Sequence, residues 1–447
     1  MGDAPEIVTS ERAYTSREYD GAVDRAAAYL DGLGVTRGAV VGLALDPSPE
    51  YLFLLGAAFR IGAIVCPINR RWPPNYLEAR LRQVGCGRVV DLVDVVDAVD
   101  VVDKEEPSLE QPATLIFTSG SSGEPKEALH SYGNHYWNAV ASNRNIPVYP
   151  GDRWLLSLPL YHVAGIGIVF RCLVGGAAVA IPEPGQPLGH AIRQLGATHV
   201  SLVATQLHRL LDDKDGIAAL AGLKAILLGG SAIPENLIRR ACALGLPIHT
   251  SYGLTEMASQ VTTTRTGDPL DALLTSGRPL ADDTVAISED GEILVRGKTL
   301  FQGYREGGTV APPLTPDGWF ATGDVGRVDA EGCITVIGRK DNLFIVGGEN
   351  VQPEAIERAL CRVEHVAEAV VVPISDDEFG CLPVAFVRNE AGAMLDADGL
   401  REYLAGELPH HAVPRHFFSW PEDGPSPEAK VNRRDFVTRA EAALGKE

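Results

Sequence analysis

The chain has 447 residues, 45% hydrophobic and 22% charged, which is the make-up of a globular protein of two or three packed units. Asp and Glu outnumber Lys and Arg by 59 to 39, a formal net charge of −20. That balance argues against a nucleic-acid or anionic-membrane partner, and it means that any anionic substrate must be met by local donors. The seven cysteines (Cys66, Cys86, Cys172, Cys242, Cys333, Cys361 and Cys381) form no C-x-x-C pair, so buried reduced thiols are expected in place of a disulfide scaffold or a zinc site. The opening MGDAPEIVTSER is acidic and lacks the apolar core of a secretory signal, so the expected location is cytoplasmic.

In chain order, residues 15–35 carry Val23, Ala26, Ala27 and Leu30 at helical spacing and end at Gly32 and Gly34. Ala39–Leu45 reads as a short buried strand. Tyr51–Ile68 is apolar but interrupted by Arg60 and too short to span a bilayer, so a buried helix followed by a strand is expected, with no membrane insertion. Residues 89–108 read as a valine-rich strand running into an acidic linker. Further strands are expected at Ala113–Thr118, Trp154–Leu158, Ala177–Ile181, Val200–Val203 and Ala225–Leu228, with a helix over 165–174. Strands alternating with helices predict an α/β fold of mostly parallel sheets.

From about residue 276 the pattern changes to short strands with Gly/Asp turns: Thr284–Ile287, Glu292–Val295 and Ile334–Ile337. That marks a small β-rich subdomain over about 276–340 within an N-terminal domain of 1–340. Pro353 opens an amphipathic helix with Ile356 and Leu360 inward, where its missing N–H costs nothing. Ala369–Val372 follows as a strand. Residues 341–447 therefore read as a separate small α+β domain.

The sharpest local signal is Thr118-Ser119-Gly120-Ser121-Ser122-Gly123-Glu124-Pro125-Lys126, directly after a strand. Two glycines and four hydroxyl residues make a loop with open backbone amides, suited to a phosphate chain, and Lys126 adds a point charge. The spacing is not that of a Walker A loop. A plain flexible Ser/Gly loop is the competing reading. Glu124 and Glu127 flank Lys126 and would oppose an anion unless they point away.

This loop resembles the signature of the adenylate-forming superfamily, which includes acyl-CoA synthetases and adenylation domains. Other matches follow in order over nearly the whole chain. Gly229-Gly230-Ser231 is similar to the family's adenine-side turn. Ser251-Tyr252-Gly253-Leu254-Thr255-Glu256 resembles the motif in which Tyr252 would pack on adenine, Thr255 meet the α-phosphate and Glu256 hold Mg²⁺. Thr322-Gly323-Asp324 resembles the ribose motif, with Asp324 on the hydroxyls. Gly338-Arg339-Lys340-Asp341 resembles the hinge, with Arg339 near the ribose and Asp341 as pivot. Lys430, in Ala429-Lys430-Val431, stands where the family keeps its catalytic lysine. Gly347 and Gly348 would line a tunnel for the CoA thiol.

Within the superfamily, Leu158-Pro159-Leu160-Tyr161-His162-Val163-Ala164-Gly165, the run Ser201–Leu207 and the run Asp341–Glu354 are similar to the o-succinylbenzoate–CoA ligases of menaquinone biosynthesis. The segment 161–165 lacks the Asp that amino-acid-activating domains carry. Phe344 and Ala429 depart from the superfamily's usual Lys and Gly, and that branch tolerates both.

Arg171 carries an argument of its own. It sits in Ile166–Val174 among apolar side chains, and a buried charge needs a partner. Either an internal Asp or Glu supplies it, or a second substrate carboxylate does; the resemblance places Arg171 at the acyl pocket. Ser201 is a weaker pocket candidate, since a serine opening a strand is often structural. His162 is either a satisfied histidine at a strand end or a gate bordering the acyl site.

The resemblance thus implies ATP, Mg²⁺ and CoA as reactants, a small carboxylate substrate and no nucleic acid; a homo-oligomer stays open. Alternatives are a ligase for another aryl or fatty acid, an adenylation enzyme loading a carrier-protein thiol, and a nucleotide-binding protein without catalysis. Retention of both Glu256 and Lys430 argues against the last.

Overall fold

The computed structural model describes residues 5–91, 106–118, 126–306, 309–376, 379–389, 395–424 and 431–445. The acidic linker and the loop residues Ser119, Gly120, Ser121, Ser122 and Gly123 lie outside the described residues, as does Lys430. The chain divides into two compact units: Met1–Ser231 with Gly245–Ala286 and Leu294–Phe320, and Ala232–Leu244 with Ile287–Ile293 and Ala321–Glu447.

The first unit holds two large sheets. One has nine strands in the order Arg278–Pro279, Ser259–Thr263, Ile248–Leu254, Ala225–Leu228, His199–Leu202, Arg153–Leu155, Ala178–Ala180, Pro5–Val8, Ala13–Thr15. From Ile248–Leu254 to Pro5–Val8 every neighbouring pair is parallel, and antiparallel strands close both edges. The other sheet has seven strands: Thr309–Ala311, Gly303–Glu306, Lys126–Ser131, Pro112–Thr118, Ile64–Pro67, Val40–Leu43, Cys86–Val90. The predicted α/β class is what the structure has.

Local chemistry explains the helices. Thr15 and Glu18 form a reciprocal capping box at the start of Ser16–Gly32, which buries Val23, Ala26, Ala27 and Leu30 as expected. Pro49–Ile61 begins at a Ser48 cap and ends where Gly62 takes φ +73°. It is apolar all round, so it is buried all round, and Ile64–Pro67 follows it as a strand. Strand lengths differ from expectation: Ala39–Leu45 is found as Val40–Leu43 and Ala177–Ile181 as Ala178–Ala180. The one expected over 154–158 is Arg153–Leu155. The one expected at Ala369–Val372 runs over Val366–Asp376, because Pro373 lies on an edge strand where a missing donor costs little.

In the second unit, Phe320–Val328 pairs antiparallel with Ile334–Arg339. A three-stranded sheet of Val366–Asp376, Gly380–Asn389 and His416–Ser419 is packed on both faces. Period-two alternation sends Ala369 and Val371 to one core with Ile356, Leu360, Leu400 and Leu404, and Val370 and Val372 to another with Phe386 and Phe436. Pro353–Leu360 is the amphipathic helix expected, with Ile356 and Leu360 buried. Phe344 is buried in the first of these cores, where a charged side chain would be costly.

Candidate active site

Open parallel sheets bind ligands at the carboxyl ends of their strands, and the nine-stranded sheet places its motifs there. Arg153–Leu155 leads into the 158–165 segment, and Ala225–Leu228 into Gly229-Gly230-Ser231. Ile248–Leu254 ends in the Tyr252–Glu256 run, whose last residues form the turn Thr255–Met257. Ser251 Oγ donates to Leu228 O at 2.8 Å, stitching the Gly229 turn to the Tyr252 segment. Gly253 must be glycine: a Cβ there would lie 2.1 Å from Ser259 O. Just beyond, Ala258 holds φ +58°, a conformation costly for a side-chain-bearing residue. Asn138 over-determines it by donating to Met257 O at 3.0 Å and Gln260 O at 2.8 Å.

Thr118 and Lys126, at the two ends of the Ser/Gly-rich run, face each other across an antiparallel pair. Strand alternation turns Lys126 outward and Glu127 to the buried face, which removes the repulsion that Glu127 threatened; Glu124 lies outside the described residues. Tyr304 links the lysine to the turn. Its Oη donates to Glu256 Oε1 at 2.5 Å, and Lys126 Nζ lies 4.8 Å from the centre of its ring. The turn is also held from behind, by His130 Nε2 donating to Thr255 O at 2.7 Å and Phe301 N to Glu256 O at 2.8 Å. The His130 ring packs 5.0 Å from that of His135, whose Nε2 pairs with Thr114 Oγ1 at 2.7 Å. Burial pushes His130 down to about 4 and His135 well below the ordinary histidine value, so both are neutral at pH 7.

Arg171 lies on the buried helix Val163–Gly175 and is itself 1% exposed. Among the described residues no carboxylate pairs with it. Its guanidinium rests 4.6 Å from the centre of the Trp154 ring, and Nη1 donates to Gln260 Oε1 at 3.1 Å. Nε has no hydrogen-bond partner among the described residues. Burial pushes the group down to about 10, so it stays a cation at pH 7. Gly167 makes room: a Cβ there would meet Arg171 Nη1 and Ser259 Oγ, each at 3.3 Å. Ser201 Oγ accepts from Trp154 Nε1 at 3.1 Å, so this serine meets the tryptophan on which Arg171 rests. His162 is the N-cap of the same helix, exposed, with its ring 4.7 Å from that of Tyr161.

In the second unit, Arg339 gathers the ribose and hinge motifs. Nη1 donates to Asp324 Oδ1 at 3.0 Å and Thr322 O at 2.8 Å, and Nη2 to Asp341 Oδ2 at 3.1 Å. Gly323 takes φ +73°, a left-handed conformation that favours glycine, and lies beside the Arg339 guanidinium. Next to Asp341, Gln352 Nε2 donates to Arg339 O at 2.9 Å and Asn342 Nδ2 to Glu354 Oε1 at 2.5 Å. Arg433 Nη2 donates to the same Glu354 oxygen at 3.2 Å, and Nη1 and Nη2 to the two oxygens of Glu357 at 2.5 and 2.9 Å. Gly347 and Gly348, both at positive φ, form the two-residue turn of the hairpin Phe344–Val346/Glu349–Val351.

Sequence reasoning missed Trp154, Gln260, Tyr304 and His130. Gln260 lies in Ser259–Thr263, a polar-looking run that is buried along its length. Its β-branched Val-Thr-Thr was the one available sign of a strand.

The AMP-binding enzyme family matches residues 1–305 and the AMP-binding enzyme C-terminal domain matches residues 355–425. The chain belongs to the AMP-binding enzyme family. It is 34% identical to the 2-succinylbenzoate–CoA ligase of Salmonella typhimurium, over 96% of this chain and 94% of that one. The o-succinylbenzoate CoA synthetase (MenE) of Bacillus subtilis in complex with the acyl-adenylate intermediate OSB-AMP superposes with a TM-score of 0.88 at 27% identity, covering 97% of this chain and 95% of that one. The same synthetase in complex with ATP and magnesium ion gives 0.86 at 26% identity, covering 98% and 97%. Among the described residues no helix is long and apolar enough to cross a membrane.

Proposed function

We propose that this chain is a cytoplasmic ATP-dependent o-succinylbenzoate–CoA ligase, acting through an acyl adenylate. The observation that carries the substrate is Arg171: a buried cation, stacked on Trp154 and, among the described residues, with no carboxylate paired to it. o-Succinylbenzoate has two carboxylates, one to activate and one left over, and the left-over carboxylate is the partner Arg171 lacks. The desolvation of a buried guanidinium is an expense that an external anion offsets. The named relatives of similar length support the same acid.

In the first half-reaction a substrate carboxylate oxygen bonds to the α-phosphorus of ATP, and the bond to pyrophosphate breaks. Positioning and charge neutralisation carry most of such catalysis. Thr118 through Gly123 with Lys126 hold the departing pyrophosphate, and Thr255 meets the α-phosphate. Mg²⁺ characteristically takes one or two carboxylates and fills its shell with substrate phosphate and water, and Glu256 fits as that single carboxylate. When bound, the ion neutralises phosphate charge. Gly229, Gly230, Ser231, Tyr252 and Gly253 receive the adenine. In the second unit, Asp324 and Arg339 are the ribose-side residues, and Lys430 bridges the carboxylate and the α-phosphate. His162 borders the acyl site. No base is needed, because the acid is ionised at pH 7.

In the second half-reaction the CoA thiolate attacks the acyl carbonyl carbon and AMP leaves with the bonding pair. A turn of residues 341–447 about Asp341 withdraws Lys430 and presents Gly347 and Gly348 to the pantetheine arm, a conformational gate able to limit turnover. Rapid-quench assays test the order of events: acid and MgATP alone should release one equivalent of pyrophosphate, and CoA should convert that burst to steady turnover. Pyrophosphate release that strictly requires CoA would refute the two-step scheme.

A further inference from the structure

We propose that Gln260 is a specificity-setting positioning residue: its neutral carboxamide oxygen aims the Arg171 guanidinium without neutralising it, so the full positive charge remains for an anionic group of the substrate. This rests on the reading of Arg171 as the partner of a second substrate carboxylate.

The hydrogen bonds settle which end of the amide faces the arginine. Thr263 Oγ1 donates its single proton to Thr262 O at 2.6 Å, so it can only accept from Gln260 Nε2, at 2.7 Å. The amide nitrogen is thereby committed, and Oε1 points to Arg171 Nη1 at 3.1 Å. Ser142 Oγ donates to the same oxygen at 2.7 Å. The main chain is pinned as well, since Asn138 Nδ2 donates to Gln260 O at 2.8 Å. Gln260, Ser142 and Thr263 are all buried, so the oxygen is a fixed feature of the site.

A carboxylate at that position would hold the guanidinium just as well. It would also cancel the charge in a low-dielectric setting, where an opposite charge at this distance dominates the local field. An incoming substrate carboxylate would then meet a satisfied ion pair and a negative neighbour. An amide gives the aim and leaves the charge. Trp154 acts in the same sense, since its ring face stabilises a cation without titrating it.

The test uses the full-length enzyme with two acids: o-succinylbenzoate, and the analogue whose non-activated carboxylate is a primary amide. The quantity read is the ratio of kcat/KM for the diacid to that for the amide. Arg171→Ala should collapse this ratio. Gln260→Glu should lower it at least tenfold, mainly by raising KM for the diacid, while the melting temperature rises or holds. A ratio for Gln260→Glu within twofold of the parent, alongside a collapsed ratio for Arg171→Ala, overturns the role of Gln260 and leaves that of Arg171 standing. An unchanged ratio in Arg171→Ala overturns both. If Gln260→Glu does not fold, Gln260→Met, which removes the acceptor at similar volume, should lower the ratio at least threefold; no change there is equally fatal.

Discussion

The hydroxyl of Tyr304 donates to Glu256 Oε1 at 2.5 Å, and the ring that carries it lies under the ammonium of Lys126. One side chain thus ties the carboxylate proposed to hold Mg²⁺ to the lysine proposed to hold the departing pyrophosphate. It does so because Gly303–Glu306 pairs with Lys126–Ser131, placing Tyr304 opposite Ala128. Tyr304→Phe keeps the ring under Lys126 and removes only the hydrogen bond to a charged group, worth about 1.5–3 kcal/mol. The adenylation rate should fall by roughly tenfold or more, with a higher Mg²⁺ concentration needed for half-maximal rate. Pyrophosphate release measured across a Mg²⁺ titration checks this; an unchanged Mg²⁺ requirement counts against the link.

Arg171 should weaken the fold that contains it. Its folded-state value is pushed down to about 10 by burial, below the ordinary 12.5 of arginine. A base whose folded value is lowered binds protons more weakly in the folded chain, so the cost is present at every pH below that window, pH 7 included. Arg171→Met removes the buried charge and leaves Gln260 Oε1 still bonded to Ser142. We expect the variant to be more stable by about 1–3 kcal/mol, in line with hydrophobic replacement of buried charges, and to lose affinity for the diacid. Urea titration at pH 7 reads the first effect. A variant less stable than the parent would mean that the arginine is a structural element.

His130 and His135 give the first unit an acid-side weakness. Both are held neutral by burial, with His130 pushed down to about 4. Between that value and the ordinary 6.5 the unfolded chain binds more protons than the folded one, so stability falls as pH drops through this window. Each histidine should contribute a slope of about 1.4 kcal/mol per pH unit where it is fully developed. Melting curves at pH 7, 6 and 5 should show the loss, and His135→Asn should flatten it. A slope unchanged by that substitution would place the acid sensitivity elsewhere.

In the second unit, Arg433 grips both oxygens of the half-buried Glu357 carboxylate and also donates to Val371 O at 2.6 Å. Burial pushes Glu357 up from its ordinary value, with the Arg433 charge opposing that rise. Arg433→Met strands the carboxylate and should cost about 3–5 kcal/mol. Arg433→Met combined with Glu357→Gln should recover a good part of it. Denaturation of the two variants side by side tests the coupling, and additive losses would refute it.

The fold class was legible because buried parallel strands and amphipathic helices leave different periodicities, as in Ala225–Leu228 and Pro353–Leu360. The Tyr252–Glu256 run could be picked out because it is short and contiguous, and it lies at the carboxyl end of a parallel strand. What stayed hidden was set by contacts distant in sequence. Tyr304 reaches Glu256 only through strand pairing, and Gln260 reaches Arg171 only because an antiparallel strand folds back beside a parallel one. The burial of Arg171 could be foreseen from its apolar neighbours. That no carboxylate among the described residues pairs with it could be seen only in three dimensions.

The most direct test of the account is to incubate the protein with MgATP, CoA and o-succinylbenzoate and follow products by mass spectrometry, with benzoate and a medium-chain fatty acid in parallel. The account predicts o-succinylbenzoyl-CoA and AMP in equal amounts, with little product from benzoate. Formation of another acyl-CoA while o-succinylbenzoate is ignored would contradict it.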